Sequence, residues 1–290
     1  MATINLFDVP HVYELTPAPG GPQRPVLVFI HGWLLSRHYW QPLIEGLAGE
    51  YQCLTYDLRG FGDSATPSAN RGYSLAAYAE DVKALLVALQ IESAWLIGHS
   101  LGGSIALWAA DLCRDRVRGA ICLNSGGGIY LKEEFERFRQ AGQQLVQRRP
   151  PWLLHLPLLD RVLARMMVYR PLARCWGRQR LIDLVKASTE AALGALLETT
   201  TEAEVHLLPQ VVARLPQPVY FLAGDRDRIM ELKYVLHLAS FHHLFRNGIQ
   251  NTIEIADCGH MSMLEQPQVA IAHLLQILSQ ESCLQKQQQT

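Results

Sequence analysis

The stretch AWLIGHSLGGSIALWAADL, residues 94–112, decides how this chain folds. It starts as a short apolar run, passes through Gly98-His99-Ser100-Leu101-Gly102, and continues as an apolar helical pattern. A G-x-S-x-G pattern between a strand and a helix places its serine on a sharp, strained turn, and the glycines leave room where the helix crosses the strand. The Ser100 hydroxyl should therefore stand clear at the carboxyl end of a parallel sheet, where open α/β sheets bind ligands.

On both sides of this turn, apolar runs alternate with helical patterns, which is typical of a mostly parallel sheet flanked by helices. Hydrophobicity is nearly continuous within the runs, so helices should cover both faces of the sheet. The predicted strands cover residues 26–30, 52–57, 94–98, 117–124, 219–224 and 252–256, with 11–15 as an antiparallel edge strand. The predicted helices cover residues 75–89, 101–112, 234–245 and 268–279.

About 90 residues between the strands ending near Asn124 and beginning near Val219 break this alternation. Their apolar spacing indicates helices, one of them framed by Pro157 and Pro171. The apolar positions are 131, 135, 138 and 145 in one helix and 156, 159, 163 and 166 in another. The expected domains are an α/β core of residues 1–128 and 216–280, a helical cap of residues 129–215 and a disordered tail of residues 281–290.

The composition narrows the classes of protein to consider. The chain has 290 residues, 49% of them hydrophobic, and a formal charge of −1, which gives no overall attraction to nucleic acid. Its N-terminus lacks the pattern of a secretory signal, and no apolar stretch reaches the ~20 residues of a membrane span. We therefore expect a cytoplasmic protein, with peripheral contact to a membrane left open.

The turn around Ser100 resembles that of the α/β-hydrolase superfamily, in which a catalytic serine, acid and histidine follow one another along the chain. The resemblance implies Ser100 as nucleophile, Asp227 in LAGDRD as the acid, and His260 in DCGHMSMLEQP as the base. Asp225 is the competing carboxylate, and we interpret it as a turn or capping residue. His99, within the turn, is expected to have a packing role.

The same resemblance, which covers residues 25–130 and 216–280, implies an oxyanion hole. Its backbone N–H donors would come from Leu101, directly after the nucleophile, and from Trp33 in the His31-Gly32-Trp33 turn. His31 is a candidate for substrate binding. The segment DLRGFGDS is interpreted as scaffold, with Arg59 and Asp63 bracing loops. No metal or organic cofactor is implied, since there is no P-loop and no G-x-G-x-x-G.

The family resemblance gives little help with the cap, so composition guides its interpretation. Apolar residues between Trp152 and Val168, with Met166 and Met167 among them, are expected to line a pocket over Ser100. Residues 132–186 carry twelve cationic and five acidic side chains, a net charge of +7. This favours either an anionic partner, such as a lipid surface, or a solvated helical face, and both stay open.

The expected function is hydrolysis of a small-molecule carboxylic ester with an apolar acyl or alcohol part, through an acyl-enzyme. Cofactor-free haloperoxidase or perhydrolase chemistry and carbon–carbon bond hydrolysis would use the same triad, so they remain alternatives. A binding or receptor role without catalysis is a further alternative, because fold alone does not fix function.

Overall fold

The computed structural model describes residues 1–17, 24–66, 71–127 and 132–288. Its centre is a mixed sheet of eight strands. These are β1 (Ala2–Leu6), β2 (Val9–Leu15), β3 (Val26–Ile30), β4 (Cys53–Tyr56), β5 (Ala94–His99), β6 (Val117–Leu123), β7 (Val219–Gly224) and β8 (Thr252–Ile255). Their order is β1-β2-β4-β3-β5-β6-β7-β8, antiparallel from β1 through β4 and parallel from there on.

Helices cover both faces of the sheet. They are α1 (Gln41–Leu47), α2 (Leu75–Ala88), α3 (Leu101–Leu112), α4 (Lys132–Gln147), α5 (Leu159–Leu163), α6 (Arg174–Lys186), α7 (Thr189–Thr199), α8 (Glu202–Arg214), α9 (Leu232–Ala239), α10 (His243–Arg246), α11 (Ser262–Glu265) and α12 (Pro267–Gln288). Short 3-10 helices occupy Arg37–Trp40 and Pro151–His155. Within the described ranges, no helix has the length and apolarity needed to span a bilayer.

Alternate residues of the strands enter two separate hydrophobic clusters, one on each face. In β3, Val28 and Ile30 pack with α2 and α3, whereas Leu27 and Phe29 pack with α1 and α12. Side chains of a strand alternate between faces, so a strand buried on both sides must be apolar at every position. This confirms the α/β class predicted from the nearly continuous hydrophobic runs.

Three elements differ from the sequence-based predictions. Strand β2 is not at the edge, because β1, whose side chains are mostly exposed, pairs with it on the outside. The helix predicted over 234–245 is broken between α9 and α10, where the His242 ring accepts the N–H of Leu244. The disordered tail is wrong for residues 281–288, since α12 reaches Gln288 and the Tyr220 hydroxyl donates to Glu281 at 2.6 Å. Residues 289 and 290 lie outside the described part.

The segment between β6 and β7 is helical, but its helices do not form a single layer. Its last helix, α8, packs against α3 and α9, and its Leu208 and Val212 enter the core cluster. The helix predicted between Pro157 and Pro171 is reduced to the five residues of α5, which begins after Leu158 with its positive φ of 66°. Turns follow α5 as far as Met167, where φ is again positive at 61°. Predicted apolar position 131 lies outside the described residues.

A buried carboxyl fastens α6 to the core. Asp183 is nearly inaccessible, and its Oδ2 accepts a hydrogen bond of 2.9 Å from Ser36 Oγ while Gln179 Nε2 donates to Oδ1 at 3.0 Å. Burial raises the pKa of Asp183 to about 7, and the nearby Asp57 carboxylate adds to the rise. The folded protein therefore holds this proton over a pH range in which the unfolded chain has released it.

Replacing Asp183 with Asn should make stability less dependent on pH. Between about pH 4 and pH 7 the native state binds a proton that the unfolded chain does not, so the wild-type free energy of unfolding falls as pH rises through this range. Urea titrations should therefore show that Asp183→Asn gains stability relative to wild type on going from pH 5 to pH 8. Burial raises the pKa of Asp81 to about 6, but Asp81 titrates in both proteins, so its contribution cancels in the difference between them. A pH-independent difference would contradict the account.

Candidate active site

The turn between β5 and α3 holds Ser100 in a strained conformation. Its backbone angles, φ of 52° and ψ of −119°, lie in a region that residues other than glycine rarely adopt. A Cβ on Gly98 would collide with the carbonyl oxygen of Gly102, and one on Gly102 with that of Ile30. The helix thus crosses the strands with no room for side chains, and the backbone N–H of Ser100 is held by Leu123 O at 3.0 Å.

Asp227 and His260 form a buried pair at the carboxyl ends of β7 and β8. His260 Nδ1 lies 2.7 Å from Asp227 Oδ2, and both side chains are almost inaccessible. Burial would raise the pKa of Asp227, but His260 and the N–H groups of Met230 and Ile229 outweigh it and hold the pKa below its usual value. An ionised carboxylate can only accept, so Nδ1 of His260 carries the proton and Nε2 is left as the acceptor.

The structure distinguishes the two candidate carboxylates. Asp225 Oδ1 accepts the N–H of Cys258 at 3.1 Å, which makes it a loop-bracing residue, and of the two only Asp227 contacts His260. Asn124, which follows β6, donates from Nδ2 to Asp227 Oδ2 and to Gly259 O, each at 3.0 Å. Sequence reasoning did not assign this asparagine a role, although its place after a neighbouring parallel strand was a usable signal.

The backbone of His260 is fixed on both sides. Its N–H donates to Met167 O at 2.9 Å, and its carbonyl oxygen accepts from His99 Nε2 at 2.7 Å. Burial, followed by the neighbouring His260, lowers the pKa of His99 to about 3, so its ring is neutral with the proton on Nε2. The two rings lie 4.8 Å apart. His99 therefore positions His260 as well as filling space.

Glu265 ties together the loop on either side of His260. Its carboxylate accepts the N–H groups of Gly259 and Met261, at 3.1 Å each, and those of Tyr169 at 2.7 Å and Arg170 at 3.0 Å. Four backbone donors from two segments thus converge on one side chain. Sequence reasoning missed this residue, because nothing in the pattern around His260 shows which groups a glutamate five positions later would meet.

The serine and the histidine both follow carboxyl ends of strands in the sheet, but they are not joined by a hydrogen bond. Among the hydrogen bonds of the described residues, none links Ser100 Oγ to His260. Ser100 is also only partly buried, and it lines a cavity. Catalytic hydrogen bonds are often long before a substrate is bound, so this geometry is compatible with a pair that closes on ligand binding.

Two backbone N–H groups beside the serine are available. Neither Trp33 nor Leu101 donates its N–H to another group within the described chain, and both residues line the same cavity as Ser100. Leu101 is the first residue of α3, where N–H groups have no partner inside the helix. The Trp33 indole is anchored by a 2.8 Å hydrogen bond to Ala192 O, so α7 holds this turn in place.

The cavity over Ser100 is roofed by α4 and α7 and is mostly apolar. Its described lining residues are Trp33, Leu75, Ser100, Leu101, Ser104, Ser125, Gly127, Phe138, Ala195, Leu196, Thr199, Thr200, Ile229 and Met230. None of these side chains is charged. The polar groups are the hydroxyls of serine and threonine.

Four residues expected to bind substrate lie elsewhere. His31 is fully buried, and its Nε2 accepts the N–H of Leu58 at 3.0 Å, so it braces the turn and does not face the cavity. Trp152, Met166 and Met167 are exposed and are absent from the described lining. The expectation that residues 152–168 form the pocket is wrong, because the inner sides of α4 and α7 occupy that place.

The DLRGFGDS segment carries ion pairs. Arg59 is fully buried and contacts Asp81 at 2.5 Å, and Asp63 pairs with Lys186 and, at 2.8 Å, with Arg37. Arg37 also pairs with the inaccessible Asp57 of this segment. These contacts leave both Arg59 and Asp63 away from the cavity.

Known proteins resemble this chain along nearly its whole length. It is 31% identical over 282 residues, 93% of this chain and 95% of the relative, to a 2-succinyl-6-hydroxy-2,4-cyclohexadiene-1-carboxylate synthase of Yersinia pseudotuberculosis. A thermophilic esterase from Thermogutta terrifontis superposes with a TM-score of 0.76 at 22% identity, covering 97% of this chain and 98% of the esterase. A bromoperoxidase from Bacillus anthracis gives 0.77 at 20% identity, covering 96% and 99%.

The two solved structures share the fold at an identity that carries no further argument. The family model for the alpha/beta hydrolase fold matches residues 25–267, which include the serine turn, the intervening helices and the histidine loop. The chain therefore belongs to the α/β hydrolase fold family.

Proposed function

We propose that this protein hydrolyses a neutral carboxylic ester with an apolar acyl or alcohol part, through an acyl-enzyme on Ser100. The observation that carries the proposal is a strained serine at the wall of an uncharged cavity, beside two backbone N–H groups that donate no hydrogen bond within the described chain. The buried pair of Asp227 and His260 supplies the base.

The mechanism follows from the protonation states. His260 Nε2 takes the proton of Ser100 as Oγ attacks the ester carbonyl, and the N–H groups of Trp33 and Leu101 stabilise the oxyanion. The alcohol leaves with the proton from His260. A water molecule, deprotonated by the same nitrogen, then attacks the acyl carbonyl carbon. The bond to Ser100 Oγ breaks, His260 gives the proton to Oγ, and the acid is released.

The lining of the cavity supports a neutral substrate. A buried anion needs a cation or several donors, and the described lining has no basic side chain. Of its four hydroxyls, those of Thr199 and Thr200 already donate to the backbone carbonyl oxygens of Ala195 and Leu196, which leaves only Ser104 and Ser125. Arg139 adjoins the cavity on α4, yet its Nη1 is engaged by Leu197 O and by Thr200. Apolar walls with a few hydroxyls are typical of sites for uncharged, partly apolar ligands.

A second candidate is the reaction of the Yersinia relative, whose name describes synthesis of a succinyl-bearing cyclohexadiene carboxylate. Identity of 31% over nearly the full chains favours it. The absence of a cation from the described lining disfavours it, because such a product carries carboxylates. The same serine, histidine and aspartate would act in both reactions, so the charge of the substrate separates the two candidates.

A panel of substrates tests the proposal. Neutral acyl esters should be hydrolysed, esters of dicarboxylic half-acids with matched length should be poorer by tenfold or more, and Ser100→Ala should abolish turnover without changing the melting temperature. Conversion of a carboxylate-bearing cyclohexadiene substrate, with no ester hydrolysis, would instead establish the second candidate. Ester turnover by Ser100→Ala within tenfold of wild type would contradict both.

The two aspartates offer a matched pair of variants. Asp227→Asn should lower kcat by about 10³- to 10⁴-fold, because the amide no longer fixes the tautomer or stabilises the imidazolium. Asp225→Asn, which keeps an acceptor for the Cys258 N–H, should stay within about threefold of wild type. Steady-state kinetics on the preferred ester would show this, and the reverse order would overturn the assignment.

Glu265→Gln tests whether the loop must be held for His260 to act. The amide offers one acceptor and places N–H groups against backbone donors, so kcat should fall about 10- to 100-fold through misplacement of the base, with KM nearly unchanged. A separate variant, Glu92→Gln, changes an exposed glutamate in the same way and serves as the control. Loss of activity that only tracks the unfolded fraction, or a change confined to KM, would exclude this positioning role.

A further inference from the structure

The outer part of the cap exposes an unusual share of the large apolar side chains. Of the nineteen that are exposed among the described residues, seven fall within residues 152–169. Trp152 is 60% exposed and Val162 is 53% exposed. Soluble proteins expose single apolar residues everywhere, but a concentrated group marks a surface that contacts another apolar phase.

The local packing explains why these side chains point outward. A Cβ on Gly177 of α6 would collide with the carbonyl oxygen of Asp160, so α5 lies directly against α6. Leu163 and Ala164 face this contact and are buried. Leu158, Val162 and Met166, spaced four residues apart, lie on the opposite side and are exposed.

The segment that carries this group is strongly cationic. Residues 148–182 contain eight arginines against one acidic residue, which gives a net charge of +7, and that acidic residue, Asp160, is buried and paired with Arg174. Arg149 and Arg180 are buried and bind backbone carbonyl oxygens. The exposed guanidinium groups of Arg161 and Arg165 make no hydrogen bond or ion pair among the described residues. The exposed charge that this segment contributes is therefore cationic, and of its exposed arginines Arg170 is offset by the half-exposed Asp257.

We propose that this face binds the surface of an anionic lipid bilayer. The binding surface consists of Trp152, Leu156, Leu158, Val162, Met166 and Tyr169, with Arg161 and Arg165 beside them. Apolar side chains at the headgroup boundary and arginines toward anionic headgroups are the two contributions that hold a peripheral protein on a membrane. An acidic protein would match the charge alone, whereas a bilayer matches both the charge and the exposed apolar groups.

The proposal does not depend on the ester hydrolase activity. The binding surface is separate from the described lining of the cavity, and none of its side chains contacts Ser100, Asp227 or His260 in the described residues. Binding can therefore be measured with lipids that cannot be hydrolysed.

Flotation with vesicles of ether-linked phosphatidylcholine, with and without ether-linked phosphatidylglycerol, tests the proposal on the full chain. Binding should require the anionic lipid and be lost at about 1 M salt, where the screening length is about 3 Å. Arg161→Gln and Arg165→Gln should each weaken binding about fivefold. Arg246→Gln, at an exposed arginine in α10, should not.

The apolar contribution has a matched control. Val162→Ser should weaken vesicle binding severalfold, whereas Val87→Ser, at a valine equally exposed at 53%, should leave it unchanged. Equal binding to neutral vesicles, equal effects of the two valine variants, or wild-type binding by both arginine variants would overturn the proposal. The proposal would also be overturned if the protein did not bind vesicles but formed a concentration-dependent dimer that Val162→Ser disrupts, because a second copy would then cover this face.

Discussion

The close crossing of α3 over the sheet at Gly98 and Gly102 is the constraint on which the rest of the site depends. It forces Ser100 to a φ of 52°, and strain of this kind costs on the order of 1–3 kcal/mol. The surrounding parallel strands hold it, since Ser100 donates to Leu123 of the neighbouring β6. Adjacent strands β6, β7 and β8 then deliver Asn124, Asp227 and the loop of His260 to the same edge of the sheet.

The histidine loop is held by contacts from three directions. His99 fixes the carbonyl of His260, Met167 its N–H, and Glu265 the neighbouring peptide groups. Two of these partners come from outside the segment that carries the loop, so His260 is positioned by tertiary contacts as well as by its own segment. The Met167 contact also joins the histidine loop to the segment that carries the proposed bilayer-binding surface.

Sequence reasoning predicted the strands, the serine turn and the buried α/β core, because hydrophobic period and glycine spacing are local signals. It also separated Asp227 from Asp225 by motif, and the structure joins only the former to His260. It failed where tertiary contacts determine what a residue packs against. Trp152 and Met166 are apolar whether they line a pocket or face outward. The outer strand β1 was missed for another reason: its sequence ATINL alternates apolar and polar residues, a signal of a half-buried strand that the prediction did not use. Glu265 is a surface residue type until its four donors are known.

The central claim is that Ser100 becomes acylated during turnover. Rapid quenching of the protein with an activated ester in acid, followed by intact-mass and peptide mass spectrometry, tests it most directly. The account predicts a transient adduct of the acyl mass on the peptide that contains Ser100, which forms more slowly and also lasts longer when His260 is replaced by Ala, because both steps need the same base. Ester turnover with no adduct, or with the acyl group on another residue, would contradict it.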